Sequence, residues 1–140
     1  MNDRKMMDVA LKNIVIPKLR EQGFKGSFPH FRRVSENDID LITFQFNRWG
    51  GSFVVEIATC PNDGTTMSWG EKVPPEKVNA HHINERFRLG ARSFEEEGVW
   101  FTYENANSEE DYFNVAVSVL YHLKQLIQVG FLLYLDKHYF

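Results

Sequence analysis

The first apolar pattern in the chain has helical spacing. Apolar side chains recur every three or four residues over residues 3–22, which predicts a helix with one buried face. That face consists of Met7, Leu11, Ile14, Val15 and Leu19. Pro17 cannot donate a backbone hydrogen bond, so we expect it to kink or split the helix. Gly23 stands where a glycine commonly ends a helix, and we expect Phe24 to fold back onto it.

Three segments then alternate between apolar and polar positions, as strands with one buried face do. They are FPHFRRV (28–34), IDLITFQFN (39–47) and SFVVEIAT (52–59). The second and third strands place Ile42, Phe44, Phe46, Phe53, Val55 and Ile57 on one face, and Leu41, Thr43, Gln45, Val54, Glu56 and Ala58 on the other. The polar segment 35–38 and the glycines of RWGG (48–51) predict two hairpin turns.

Residues 60–84 form the least regular part of the chain, because they are rich in Pro, Gly and Asp. We expect Pro75 to open a short helix that ends near His82. Met67 and Trp69 are the apolar residues that would pin this loop to the core. A connection this long in a small domain is often functional or mobile.

A second hairpin is predicted after the loop. RFRLGARS (86–93) and VWFTY (99–103) have strand character, and EEEG (95–98) supplies the turn between them.

The last predicted element is a helix over residues 109–129. Ser108 and Asp111 form a capping box at its start. The helix is apolar nearly all round, so we expect it to be buried on most sides or shared with a partner. We expect Gly130 to end it and the aromatic tail 131–140 to dock on the domain.

The order of elements is therefore α-β-β-β-loop-β-β-α. Short hairpins imply an antiparallel sheet, and helices on one of its faces give two layers. We predict a two-layer α+β fold with an antiparallel sheet of about five strands and two main helices. Residues 1–140 form a single globular domain in this prediction, which suits the length of the chain.

Charge and composition narrow the classes of partner. The net charge is −3 and the basic residues are scattered, so we expect no nucleic-acid partner. The longest apolar run, residues 129–135, is far below the roughly 20 residues that cross a bilayer, so we expect no membrane segment. Cys60 is the single cysteine and no signal peptide is evident, which favours a cytoplasmic protein.

No catalytic or metal motif is evident. His81 and His82 are adjacent, so neither a helix nor a strand aims both at one ion, and we expect exposed or capping histidines. Cys60 follows an apolar strand, which favours a partly buried structural thiol over a nucleophile. No GxSxG or SxxK motif is present, and the glycines at 50–51 lack the Lys of a P-loop. We expect no catalytic residue, no metal and no cofactor.

Two arginines are the most informative polar residues. In a strand Arg86 and Arg88 share the face opposite Phe87 and Leu89, which we expect to be exposed if the apolar face meets the helices. One interpretation is a surface pairing of Arg88 with Glu56. The other is a polar groove on the open sheet face, partly covered by residues 60–84, that recognises a carboxylate-bearing or anionic partner through the arginines. The candidate binding residues are Arg86, Arg88, Glu56, Gln45, Arg32 and Trp69.

The order of several segments resembles a known family. PKLREQGFKGSFPHFRRV, ITFQFNRWGGSFVVEI and RFRLG followed by Trp100 and Phe101 are similar to an uncharacterised bacterial family, domain of unknown function 4304. The resemblance covers roughly residues 8–103. It implies a small, soluble domain without an established activity and supplies no catalytic residues.

We therefore predict a non-enzymatic protein-interaction module. Many small bacterial α+β domains are immunity proteins that block a toxin, so an immunity-like role is one form of this hypothesis. The alternative is a small-molecule or anion-binding domain, or an unrecognised hydrolase, with a polar pocket on the sheet. We expect a monomer or a weak homodimer formed through the last helix or the tail.

Overall fold

A computed structural model describes residues 3–91, 96–129 and 131 of the chain. It contains three α-helices, eight strands and one 3₁₀ helix within these residues. The helices are α1 (Asp3–Ile14), α2 (Ile16–Glu21) and α3 (Glu109–Val129), and the 3₁₀ helix is Ala80–His82. The strands are β1 (Lys25–Ser27), β2 (His30–Val34), β3 (Asp38–Phe46), β4 (Ser52–Pro61), β5 (Thr65–Thr66), β6 (Lys72–Val73), β7 (Phe87–Arg88) and β8 (Phe101–Thr102).

The main sheet is antiparallel and has the order β1-β2-β3-β4-β7. β3 and β4 pair along nearly their whole length, from Asp38 opposite Pro61 to Phe46 opposite Phe53. β8 pairs with β4 as well, further along the same edge as β7. β5 and β6 form a separate two-stranded sheet. With α1 and α3 near the two ends of the chain, this is the predicted α+β fold.

One face of the sheet, called the helix face here, packs against α1, α2 and α3. Its side chains alternate with those of the opposite face, as the sequence pattern predicts. The core on this side includes Phe31, Ile42, Phe44, Phe53, Val55, Ile57, Phe87 and Phe101 from the sheet, and Met7, Leu11, Leu19, Ala116, Val119 and Leu123 from the helices.

The opposite face, called the second face here, is covered over part of its area by the segment 62–84. Ile39, Leu41, Ala58 and Cys60 of the sheet pack against Val73, Val78 and Ala80 of this segment. Of the two interpretations of this face, the one in which residues 60–84 partly cover it therefore holds for this region, and the fully exposed face does not. The covering side chains are small and spaced irregularly in the sequence, so no periodic pattern revealed them.

The helix breaks and caps follow the sequence rules. The predicted helix 3–22 is split at Val15, with Pro17 in the first turn of α2. Gly23 has φ 92°, and the Phe24 N–H donates back to the Leu19 carbonyl, which closes α2 as predicted. At the start of α3, the Asp111 N–H donates to Ser108 Oγ, and the Asp111 carboxylate accepts from the Asn107 N–H and also interacts with the backbone and hydroxyl of Ser108, in keeping with the predicted capping box.

The predicted strand 28–34 is confirmed over His30–Val34 as β2, but it is the second strand of a hairpin whose first strand, β1, was not predicted. Phe28 and Pro29, joined by a cis peptide bond, form a turn that separates β1 from β2. The glycine at position 26 packs so close to β2 that an added Cβ would lie 2.5 Å from the His30 carbonyl oxygen. The sequence rule for proline near the start of a strand did not reveal this turn.

The predicted second hairpin is also different. β7 and β8 are each two residues long, and each pairs with β4 rather than forming a ladder with the other. One hydrogen bond, from the Val99 N–H to the Leu89 carbonyl, joins the two segments. Residues 92–95 lie outside the described residues, and so do Gly130 and residues 132–140, on which the predictions for the helix end and the tail fall.

Candidate functional site

A row of polar side chains crosses the second face of the sheet. Antiparallel register places directly opposite residues on the same face. Successive pairings therefore align one residue from each of five strands: Ser27, His30, Thr43, Glu56 and Arg88. We call this set the polar row. Thr43 is fully buried and Glu56 is 3% exposed, whereas His30 and Arg88 are half-buried and Ser27 is exposed, so the row is covered at its centre and open at its ends.

Glu56 is the buried centre of the site. Arg88 Nε donates to Glu56 Oε1 at 3.3 Å, and Arg86 Nε lies 3.5 Å from Glu56 Oε2. The two arginine side chains are each about one third exposed, whereas that of Glu56 is 4% exposed. The carboxylate is thus shielded from water and each of its oxygens faces a different guanidinium group. The predicted pairing of Arg88 with Glu56 is confirmed.

Further contacts fix the two guanidinium groups. Arg86 Nη1 donates to the Ile83 carbonyl at 3.0 Å. The Arg88 guanidinium lies over the Trp100 ring, 5.1 Å from its centroid. Trp100 Nε1 in turn donates to Glu97 at 2.8 Å. An arginine held by a carboxylate on one side and an aromatic ring on the other loses little side-chain freedom when it binds a partner.

The segment 96–100 lies tightly against β7. Gly98 has φ 81°, and an added Cβ would lie 2.7 Å from Arg88 Cβ and 3.0 Å from the Arg88 carbonyl oxygen. A Cβ on Gly90 would lie 2.4 Å from Val99. Only glycine allows the two backbone segments to come this close. Gly90 and Gly98 therefore position the segment 96–100 as a wall beside the two arginines.

The 3₁₀ helix at 80–82 connects the covering segment to the polar row. The Ala80 N–H donates to Thr43 Oγ1 at 3.3 Å, and His30 Nδ1 lies 3.0 Å from the same hydroxyl. His82 Nδ1 accepts from the Asn79 N–H, so His82 is a capping histidine, as expected. His81 Nε2 lies 3.1 Å from Gln45 Oε1.

Two histidines of this region have perturbed acidity. The His30 and His81 rings are perpendicular, with centroids 5.9 Å apart. Burial, and then the neighbouring His81 and His82, lower the pKa of His30. Burial and the nearby Arg86 lower the pKa of His81, and Glu56 opposes this effect. Both rings therefore favour the neutral form next to the arginines.

These elements border a shallow, open polar groove of about 500 Å³. Its lining consists of Glu56, Asn84, Arg86, Phe87, Arg88, Glu96 and Glu97. Among the described lining residues, three carboxylates stand against two guanidinium groups, so this part of the lining is not positive as a whole. Its floor holds Glu56 under the arginines, and its wall carries Glu96 and Glu97.

The candidate binding residues fall into two groups. Arg86, Arg88 and Glu56 come together in the groove. Gln45 contacts His81, Arg32 lies on the second face beside Leu41, and Trp69 is 70% exposed at the tip of the β5–β6 hairpin. None of these three lines the groove among the described residues.

Trp69 also fails as an anchor of the loop. Met67 packs against the second-face core, as predicted, but Trp69 Nε1 donates to Glu71 at the hairpin tip and its ring faces water. Trp69 lies within the turn in which the Gly70 N–H donates to the Met67 carbonyl, at the tip of the hairpin.

Sequence reasoning missed the wall of the groove. Glu97 and Trp100 were interpreted as parts of a turn and a strand. In the structure Glu97 lines the groove, and Trp100 donates a hydrogen bond to it. The signal was the pair of glycines at 90 and 98, which mark a close backbone approach. The sequence alone does not show which segment packs against these glycines, so the signal did not identify the wall.

The described residues offer little for covalent or metal chemistry. Burial, with the nearby Asp63 and Asp38, raises the pKa of the Cys60 thiol to about 11, so it is a thiol and not a thiolate near neutral pH. The prediction of a buried structural cysteine is confirmed. Within residues 3–91, 96–129 and 131, no cluster of three or more His, Cys, Asp or Glu side chains could hold a metal ion.

The fold and the groove define a small two-layer α+β domain with a mixed-charge site on the second face of its sheet. The family model described as Domain of unknown function (DUF4304) matches residues 15–128, so the chain belongs to this family, as the resemblance indicated. No significant match was found among curated proteins or among solved structures. None of the helices in the described part of the chain has the length and hydrophobicity needed to cross a membrane.

Proposed function

We propose that the chain is a non-enzymatic protein-interaction domain that binds a partner through the polar groove. The observation that carries this proposal is the arrangement of Arg86, Arg88 and Trp100 around the buried Glu56. Arginine and tryptophan are the residues most enriched among energetically dominant interface positions. Here they are adjacent and partly exposed, and they are fixed before any partner arrives.

The charge of the groove favours a protein partner over a small anion. An anion that approaches the arginines also meets the carboxylates of Glu96 and Glu97, as well as that of Glu56 below the arginines. A protein surface can place a basic side chain against the acidic wall and an acidic side chain against the arginines. Complementary charges of this kind provide specificity and a faster encounter.

The buried thiol and the arrangement around Glu56 also favour binding over catalysis. Glu56 is the one deeply buried carboxylate in the groove, and both of its oxygens already face guanidinium groups. General acid–base catalysis requires a group free to exchange a proton with a substrate. Glu56 in this arrangement instead positions the two arginines.

A small-molecule site is the second candidate, because the groove is concave at the residues that this alternative requires. A thermal-shift screen separates it from the first. A small-molecule site predicts a compound that stabilises the wild-type domain but not Arg86→Ala.

An immunity-like role is a more specific version of the first proposal. It predicts that the captured partner is a toxin.

The test is affinity capture from lysate of the source organism with matched variants. Wild type and Tyr121→Ala, which changes an exposed residue of α3, should retain the partner. Trp100→Ala should lose it, and the purified partner should bind this variant about 5- to 30-fold more weakly, as expected when an interface anchor is truncated. Isothermal titration calorimetry with the purified partner gives this ratio.

A different pattern would contradict the proposal. If Trp100→Ala and Arg86→Ala bind the purified partner as wild type does, while Tyr121→Ala does not, the interaction surface is the helix layer and not the groove. Circular dichroism of each variant shows whether a loss of binding comes from a loss of fold.

A further inference from the structure

The charges of the groove are separated in space. The floor contains Arg86 and Arg88 above the buried Glu56, so two positive charges are offset by one negative charge there. The wall contains Glu96 and Glu97, and the Glu97 carboxylate accepts from Trp100 Nε1. The groove therefore has a positive floor and a negative wall.

Gly98 fixes the distance between these two sides. Its backbone lies against Arg88, and an added Cβ would lie 2.7 Å from Arg88 Cβ. The hydrogen bond from Trp100 Nε1 to Glu97 ties the wall to the ring on which Arg88 rests. Since wall and floor are joined by these contacts, a ligand meets both charges at a fixed separation.

From this geometry we infer that the groove recognises a protein segment that presents a carboxylate and a basic group together. The carboxylate lies on the guanidinium groups of Arg86 and Arg88, and the basic group lies on the wall. This inference rests on the proposed function and names the chemistry of the partner. An extended segment with an acidic and a basic side chain two residues apart fits it, because such side chains lie on the same side of the backbone.

The arginines retain donors for this role. Arg88 Nε is used by Glu56 Oε1, and Arg86 uses Nε toward Glu56 and Nη1 toward Ile83. Within the described residues, no hydrogen bond engages the Nη groups of Arg88 or Nη2 of Arg86, and each side chain is about one third exposed. Paired guanidinium donors match the two oxygens of a carboxylate.

Four blocked tripeptides test the inference directly. They are N-acetylated and C-amidated, and carry Glu-Ser-Lys, Glu-Ser-Gln, Gln-Ser-Lys or Gln-Ser-Gln. The tripeptide with both charges should bind about two- to fivefold more tightly than the one with the acidic charge alone, the gain expected from one partly exposed ion pair. The neutral tripeptide should bind most weakly.

Nitrogen-15 correlation spectra of the full chain provide the readout. The chain has three tryptophans, and the indole N–H of Trp100 should shift during the titration. Trp49 and Trp69, which are exposed and outside the groove lining, serve as internal controls. A Trp100→Phe spectrum assigns the relevant signal.

Two variants separate the floor from the wall. Glu97→Gln keeps an oxygen that can accept from Trp100, and it should reduce the advantage of the doubly charged tripeptide over the acidic one. Arg86→Gln should reduce the advantage of the acidic tripeptides over their Gln counterparts. Tyr121→Ala should bind all four as wild type does.

The outcomes distinguish this inference from the proposed function. Equal affinities for the doubly charged and acidic tripeptides, or no saturable shift of Trp100 with any of them, would overturn the inference. Partner capture that still depends on Trp100 would then leave the proposed function in place. Tighter binding of a free amino-acid zwitterion than of the blocked tripeptides would also overturn it and favour the small-molecule site.

Discussion

The two faces of the central sheet differ in how they are stabilised. The helix face is covered by three helices and is apolar and aromatic, with Phe53 stacked between Phe46 at 4.9 Å and Phe101 at 5.4 Å. The second face is divided between an apolar region under the segment 62–84 and the polar row that ends in the groove. Apolar packing accounts for the first face, whereas the second retains buried polar groups that stability alone does not require.

This difference is the reason why we assign recognition to the second face and not to the helix face. A buried carboxylate under two arginines contributes little net stability compared with apolar side chains of similar volume. It does, however, hold the arginines in one geometry at the surface. We therefore interpret the helix face as the source of stability and the groove as the site of recognition.

The largest expected effect is on the helix face. Phe53→Ala removes a fully buried ring from the aromatic cluster and should lower the free energy of unfolding by about 3–5 kcal/mol, measured by guanidinium denaturation. Phe53→Leu, which retains most of the apolar volume, is the control and should cost clearly less. A loss below about 1 kcal/mol for the alanine variant would show that this face is not the main source of stability.

The next effect tests the buried ion pairs of the groove. The double variant Arg86→Gln with Arg88→Gln leaves Glu56 buried without a cation, and should lower the free energy of unfolding by about 3 kcal/mol. This is the lower end of the range for buried pairs, because both arginines are partly exposed. Adding Glu56→Gln to the double variant should restore part of the loss, since no charge then remains buried. If the triple variant is less stable than the double, the desolvation of Glu56 is not the cause.

Local patterns predicted the helix face well. Alternation over residues 39–47 and 52–59 identified Phe44, Phe53 and their neighbours as buried, because period-two spacing is a property of the strand itself. The split of the first helix followed from Pro17 alone.

The second face was predicted less well, because its cover comes from distant residues. The prediction placed Glu56 with Arg86 and Arg88, since alternation and strand order give that pairing. It did not find that Glu56 is buried, which depends on the segment 62–84 and on the wall at 96–100. Those segments lack a periodic pattern, and their positions depend on tertiary contacts.

A smaller effect tests the link between the polar row and its cover. Thr43→Val keeps the shape of the side chain but leaves the Ala80 N–H without its acceptor, and should cost about 1–2 kcal/mol in the free energy of unfolding. Thr43→Ser retains the hydroxyl and should cost less. Amide hydrogen exchange should be faster at Ala80 in the valine variant. Unchanged exchange at Ala80 would show that the hydroxyl does not hold the 3₁₀ helix.

The smallest effect is the pH dependence of the second face. The pKa values of His30 and His81 are lowered in the folded chain, so the unfolded chain binds protons more readily once the pH falls to about 6.5, the ordinary histidine value. Stability contributed by the neutral rings is therefore present above that pH and is lost as the pH falls from 6.5 toward the folded values. Among the described residues, protonated His81 would be repelled by Arg86, His82 and a protonated His30, and attracted by Glu56. Denaturation midpoints between pH 7.5 and 5.5 should decrease, and the decrease should be smaller in His30→Gln. The same slope in wild type and His30→Gln would assign the pH dependence to other groups, and the polar row would then have no part in it.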